Sequence, residues 1–237
     1  MGRILVQNRR PVVPGIAINT IMDAAIVARN GFPEADTQSM VLGGWVRERT
    51  RSASYPTGFA KGAHNTRGVE AVNIQPNRAI YAKVDKSGSN SSDSLYTPII
   101  TLQWANIVVI YTKGGLVTIY VNGAFRRNTQ LSAGWTNGEW WTEAGTSSLV
   151  FTSNANIATC SGIFASTNDP NKVLITPEQI RAMYETGAIP KDIIYWPMDE
   201  GAGSGAGTCK AYVNGVNVPA LDGSLSANSW VADSPFN

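Results

Sequence analysis

From Met40 onward, apolar and polar positions alternate in short blocks that are rich in β-branched and aromatic residues and too brief for helices. Residues 41–48, 69–74, 79–84, 99–104, 107–111 and 116–121 are such runs, separated by Gly, Ser, Asn and Lys, and each predicts a strand. In Leu116-Val-Thr-Ile-Tyr-Val-Asn122 the alternation puts Val117, Ile119 and Val121 on one face and Thr118 and Tyr120 on the other, as a half-buried strand requires. Asn122-Gly123 then supplies the two positive-φ residues of a tight hairpin before Ala124 and Phe125. Lys113-Gly-Gly115 joins residues 107–111 to the same meander, which predicts three consecutive antiparallel strands. Short strands at this spacing predict a sandwich or barrel, with no parallel βαβ unit.

One segment has helical spacing instead. Thr176-Pro-Glu-Gln179 forms a capping box with Pro at the first helical position, and Ile175 with Ile180 occupies the two positions of a hydrophobic staple. Ile180, Met183 and Tyr184 share a face, Gly187 can end the helix in a left-handed turn, and Pro190 prevents its continuation. The apolar face is narrow, so the helix is expected to cover an edge or the open end of the sandwich. Residues 1–14 alternate apolar and basic positions between prolines and read as an extended arm or edge strand. Residues 22–28 fit a short helix or a strand equally well.

The chain's 237 residues are 43% hydrophobic and 15% charged, which supplies one sizeable core and excludes a disordered chain. Lys and Arg number 19 against 17 Asp and Glu, a net charge of +2, which argues against nucleic acid as the main partner. No run approaches the length of a membrane span, so no membrane insertion is expected. The arm carries Arg3, Arg9 and Arg10 but no apolar core of a signal peptide. The expectation is a protein kept in a cytoplasm or released by a route other than standard secretion. Cys160 and Cys209 match no zinc spacing, and two buried or unpaired thiols are favoured over one disulfide.

The search for chemistry excludes more than it supports. His64 is the sole histidine, sits in a Gly, Ala and Asn context, and reads as a surface-loop residue, not the base of a triad. Residues 201–207 are glycine-rich but lack the Gly-Lys-Ser/Thr ending of a phosphate loop, so they read as a turn. Paired carboxylates for glycoside hydrolysis are not convincing. Glu34 and Asp36 are isolated, Asp199 and Glu200 would point to opposite faces of a strand, and Glu139 and Glu143 read as solvated loop charges. No catalytic residue, metal ligand or cofactor is therefore assigned. Residues 86–94 read as a solvated hairpin tip, whereas residues 128–147 are polar yet hold three tryptophans. Trp135, Trp140 and Trp141, with Asn137 and Thr142 as hydrogen-bonding neighbours, are candidates for carbohydrate binding. Burial in the sandwich or against a neighbouring subunit is the favoured reading of these rings. Tyr212-Val-Asn-Gly215 echoes Tyr120-Val-Asn-Gly123, which shared turn chemistry explains more simply than a true repeat.

The order of motifs between residues 40 and 201 resembles the laminin G-like, concanavalin A-like jelly-roll superfamily. Val41-Leu-Gly-Gly-Trp45-Val46 looks like its strand ending in Trp-Val, Trp104-Ala-Asn-Ile-Val-Val-Ile-Tyr111 like its Trp-x-x-hydrophobic strand, and residues 116–123 like its Tyr-Val-Asn-Gly hairpin. Gly162-Ile163-Phe164, then Leu174-Ile-Thr-Pro-Glu-Gln-Ile180, Tyr184 and Gly187, resembles the strand that leads into its Leu-Thr-x-Glu-Ile helix. Three departures count. Phe164-Ala165-Ser166 offers no acidic residue where members usually carry one, which puts a metal site in doubt. Residues 34–39 lack the last Glu of the glucanase Glu-x-Asp-x-x-Glu strand. Trp196-Pro-Met-Asp-Glu-Gly201 resembles a segment that opens such domains but here falls near the end.

The resemblance implies an all-β, antiparallel jelly-roll β-sandwich, concanavalin A-like, with one short capping helix. The expected organisation is an arm and first strands at 1–39, the sandwich at 40–201, and a tail at 202–237 that packs on or extends it. Such domains sit on outer surfaces, and with no secretion signal the expectation is a non-enzymatic bacteriophage virion protein, a capsid decoration or head-fibre component. Its partners would be the major capsid or other virion proteins, with Arg3, Arg9 and Arg10 docking the arm, and it is expected to be a homo-oligomer. The alternatives are a receptor-recognition or tail protein that binds cell-surface glycans, secreted or surface-bound by a non-standard route, and, third, a polysaccharide hydrolase or lyase. One fold hosts all three functions.

Overall fold

Strand pairing organises almost every described part of the chain. The computed structural model describes residues 16–18, 39–48, 57–62, 68–74, 79–85, 92–98, 103–112, 115–130, 149–151, 157–167, 169, 171–197, 207–225 and 230–232. In chain order the strands are β1 (Ile16–Ile18), β2 (Ser39–Glu48), β3 (Thr57–Gly62), β4 (Gly68–Ile74), β5 (Ala79–Asp85), β6 (Ser92–Pro98), β7 (Ala105–Thr112), β8 (Leu116–Val121), β9 (Ala124–Gln130), β10 (Leu149–Phe151) and β11 (Ile157–Thr167). The helix α1 (Pro177–Thr186) follows. After it come β12 (Ile194–Trp196), β13 (Gly207–Cys209), β14 (Tyr212–Val213), β15 (Val216–Asn217), β16 (Gly223–Leu225) and β17 (Trp230–Ala232), with a 3-10 turn at Pro219–Leu221.

The protein is an antiparallel jelly-roll β-sandwich. A ten-stranded sheet runs β15-β14-β12-β11-β2-β7-β8-β9, with β1 on β11 and β17 on β1, and faces a five-stranded sheet β10-β3-β4-β5-β6. β13 and β16 form a separate pair. The chain makes β2 in the large sheet, four strands in the small one, returns for β7 to β9, makes β10 in the small sheet, and threads β11 between β2 and β12. The β7–β8–β9 meander is antiparallel throughout, and Asn122 (φ 52) with Gly123 (φ 76) makes the predicted tight turn. Asn214 (φ 52) and Gly215 (φ 81) repeat it between β14 and β15. In each case the turn asparagine fastens a separate segment: Asn122 Oδ1 accepts the Asn106 backbone N–H at 2.9 Å, and Asn214 Oδ1 accepts that of Asp192 at 3.0 Å.

Both faces of the central strands are buried, which explains consecutive apolar runs such as Ile107-Val-Val109. Toward the small sheet, Met40, Leu42, Ile107, Val109, Tyr111, Val117, Ile119 and Phe164 are buried with Phe59 of β3. Gly44 is essential to this packing. A Cβ there would overlap the Ser161 carbonyl oxygen and lie 3.0 Å from the Phe59 ring, and its φ of +149 is one that L residues rarely adopt. Opposite it, Ser161 (φ 66) marks the bulge where the β2–β11 register shifts between Cys160 and Gly162.

Three expectations are corrected. The helix lies on the outer face of the large sheet, not on an edge or open end: Ile175, Ile180 and Met183 are buried in one cluster with Val41, Val108, Tyr120, Ile163, Ala165 and Ile193. A narrow apolar stripe suffices because the strands beneath supply the rest of the contact. Tyr120, placed by alternation on the polar face of β8, is consequently buried under this layer. Of the strand expected at 99–104, residues 99–102 lie outside the described residues and Gln103 and Trp104 are not in a strand, whereas β6, which the sequence did not signal, ends at Pro98. β6 pairs residue for residue with β5, from Asp85 with Ser92 to Ala79 with Pro98. As an edge strand it is held by the ladder, so polar Ser92, Asp93 and Ser94 enter it without a hydrophobic signature.

The helix ends match their sequence signals. The Gln179 backbone N–H donates to Thr176 Oγ1 at 3.3 Å, and the Thr176 N–H donates to Gln179 Oε1 at 2.8 Å. Gly187 (φ 72) closes the helix, its N–H donating to the Met183 carbonyl at 3.0 Å. Beyond it, β12, β14 and β15 add to the large sheet alongside β11. Buried Trp196 donates its indole N–H to the Leu221 carbonyl at 3.0 Å, and Asp222 Oδ1 accepts from the Ala211 N–H at 2.8 Å and from Asn217 Nδ2 at 3.1 Å.

Candidate functional site

Trp135, Asn137, Trp140, Trp141 and Thr142 lie outside the described residues, as do Arg3, Arg9 and Arg10 of the arm. His64, Glu34, Asp36, Glu139, Glu143, Asp199 and Glu200 do too. The tryptophan segment falls between β9 and β10, edge strands of different sheets. Among the described residues, no group of three or more His, Cys, Asp or Glu could hold a metal ion.

A different cluster comes together on the outer face of the large sheet. Side chains two apart on a strand share a face, and β2 pairs with β7 so that Trp45 lies opposite Asn106. Continuing that alternation, Val41 lies opposite Ile110 and Gly43 opposite Val108, while Arg47 follows Trp45 on the same face and Trp104 stands just before β7. The helix covers Val41 and Val108. Trp45, Arg47, Trp104 and Asn106 occupy the end beyond them.

Within this cluster the Tyr184 ring, at the C-terminal end of α1, lies 5.7 Å from that of Trp45 at an interplanar angle of 30°. Tyr184 is 38% exposed and Trp45 only 9%, so the tyrosine forms the outer layer of the pair. The Arg47 guanidinium carbon lies 5.6 Å from the centre of the Trp104 ring, within cation–π range. Asn106 is 2% exposed, and its Oδ1 has no hydrogen-bond partner among the described residues. A buried acceptor left unanswered costs about 1–3 kcal/mol.

The β8–β9 hairpin braces the helix beside this cluster. A Cβ on Gly123 would lie 3.1 Å from Tyr184 Cβ and 3.2 Å from Arg181 Cα, so only glycine lets the turn approach so closely. Phe125 is 54% exposed and meets Tyr120 edge to face at 5.9 Å. Burial, and then the charge of Glu178, push the Tyr120 phenol above its ordinary range. Hydrogen bonds from its own backbone N–H and then from Thr176 hold the Glu178 carboxyl below its usual range, as suits an acid in the first turn of a helix. Arg181 Nε pairs with Glu185 Oε1 at 2.8 Å on the exposed side of the helix.

Sequence reasoning noted Trp45 and Trp104 as fold markers and missed the cluster. Its signal was the in-phase spacing of Trp45-x-Arg47 and Trp104-x-Asn106 on two strands, but only their register shows that the two pairs lie side by side.

No protein-family model matches the chain, and no curated protein matches it. Solved structures similar to it include the binding domain of botulinum neurotoxin DC in complex with rat synaptotagmin II, at 10% identity over 63% of this chain and 36% of that one, with a TM-score of 0.44. A structure described as the receptor binding domain matches at 11% identity over 71% and 40%, TM-score 0.45. The F1240A mutant of HCR/D matches at 15% identity over 66% and 38%, TM-score 0.46. This chain therefore spans about two fifths or less of the length of the structures it matches.

Proposed function

We propose that this chain is a non-catalytic binding sandwich whose recognition surface is the end of the outer sheet face beyond the main helix contact, where Tyr184 and the partly exposed Arg47 and Trp104 lie beside buried Trp45 and Asn106. The observation that carries this reading is the half-exposed Tyr184 ring layered on Trp45 beside a guanidinium within cation–π range of Trp104. Tryptophan, tyrosine and arginine are the residues that dominate recognition surfaces. The strands that carry them are held by burial on both faces, so the groups are positioned before a partner arrives.

For its setting we propose the surface of a bacteriophage particle, as a capsid decoration or head-fibre component whose Arg3, Arg9 and Arg10 dock the arm on the shell. The order of laminin G-like motifs and the basic, proline-bounded arm support this setting. The test is to separate a lysate of the source culture on a density gradient and to quantify the chain by peptide mass spectrometry. Stoichiometric copies in the particle band are expected. Absence from particles overturns the virion setting and leaves a glycan-binding recognition protein, which the Tyr184–Trp45 layer favours independently of any particle.

A further inference from the structure

We propose that the outer edge of β9 takes up an extended, acidic segment of another protein as one more strand of the large sheet. This edge is a second surface, separate from the recognition surface above, and either can fail without the other. β9 ends its sheet and pairs with β8 and no other described strand. Its seven residues span about 23 Å. Six of the seven are exposed, on a strand whose neighbours β7 and β8 are largely buried. β6 comes near it but belongs to the other sheet and does not pair with it. From Arg127 to Gln130 the strand pairs regularly with Ile119 to Leu116, and no proline interrupts it. Its backbone is therefore set in strand geometry, with the N–H and C=O groups of alternate residues turned outward. The hairpin turn at Gly123 lies against α1, which fixes the edge before a partner arrives.

Charge decides the occupant. β9 reads Ala-Phe-Arg-Arg-Asn-Thr-Gln, with two arginines and no acid, and β8 carries no charged residue. Arg126 is exposed, forms no ion pair among the described residues, and is the extra residue of the bulge where the β8–β9 register shifts. Charges and bulges on an edge strand ordinarily keep other strands away. Here that protection works in one direction only. Pairing β9 with its own copy brings the arginines of the two chains beside one another, and like charges across a ladder are destabilising, whereas opposite charges attract. The edge is thereby closed to a second copy and to basic segments, and selective for an acidic strand. Phe125, 54% exposed and edge to face with Tyr120, offers an apolar contact to one side chain of the incoming strand. The segment that fits is extended and acidic and carries at least one apolar residue.

The test is selection of displayed random peptides, long enough to span β9, on the full chain, followed by synthesis of the enriched sequences. Enriched peptides are expected to carry more Asp and Glu than the starting library, and their binding should slow amide hydrogen exchange across residues 124–130. Arg126→Glu should weaken them about threefold or more and Arg126→Gln by less, with both losses shrinking as salt is raised. Arg126 is exposed, so both variants should keep the thermal unfolding of the parent, which identifies them as folded. No enrichment, enrichment of neutral or basic peptides, affinity indifferent to Arg126, or binding that leaves exchange across 124–130 unchanged overturns the proposal. Sedimentation and hydrogen exchange of the chain alone, at rising concentration, test the other occupant. Exchange across 124–130 should stay the same throughout, and a dimer that protects those amides overturns the assignment to a different protein.

Discussion

The outer face of the large sheet divides into two halves that share strands but not chemistry. Under α1 the face is mainly aliphatic: Val41, Val108, Ile163 and Ala165 meet Ile180 and Met183, with Tyr120 among them and Tyr195 packed against the cluster. A few residues further along β2 and β7 it becomes Trp45, Arg47, Asn106 and Trp104, and the last helical aromatic, Tyr184, remains half exposed over it. The helix stops where the aliphatic surface stops. The comparison separates surface that the fold consumes from surface that it leaves available.

The largest expected effect comes from breaking the covered half. Ile180→Ala removes a fully buried side chain at the centre of the helix–sheet contact and should cost about 2–5 kcal/mol in denaturant unfolding. A cost below about 1 kcal/mol would mean that the helix is not seated as described. Next in size is the boundary between the halves. Gly123→Ala forces a Cβ against Arg181 and Tyr184 in a positive-φ turn, and should cost about 1–3 kcal/mol while shifting the near-ultraviolet signal of the Tyr184–Trp45 pair.

The smallest effect concerns the helix N-terminus. Because the Glu178 carboxyl is held below its usual range in the folded protein, it contributes stability that is present above its unfolded-state pKa and is lost as the pH falls through the folded value. Glu178→Gln should therefore flatten the acid limb of stability against pH and leave neutral stability nearly unchanged. Tyr120 acts at the other end of the scale. Its raised phenol contributes stability that is full below the ordinary tyrosine range and is lost as the pH rises through the folded value, a limb that Tyr120→Phe should remove.

Local signals were legible in the sequence wherever a few neighbouring residues settle the conformation. The capping box at Thr176, the left-handed Gly187 and the Asn122-Gly123 turn depend on φ, ψ and hydrogen bonds within a few residues, and the chain alone determined them. The runs that became β2, β7 and β8 were equally legible, because apolar strands buried on both faces or alternating on one are visible in a single line of sequence. The antiparallel sandwich follows from those strands and their turns. The candidate site was not legible in this way. Trp45 and Arg47 are separated by more than fifty positions from Trp104 and Asn106, and Tyr184 arrives from a helix further on; only register brings them together. β6 was missed for the same reason, since a polar edge strand owes its conformation to its neighbour's ladder. Only the tertiary structure decided that α1 lies across the outer face, that Tyr120 is buried, and that aromatic, guanidinium and amide groups meet at one end of that face. Sequence periodicity specifies which residues turn inward, whereas what they turn toward depends on contacts between segments far apart in the chain.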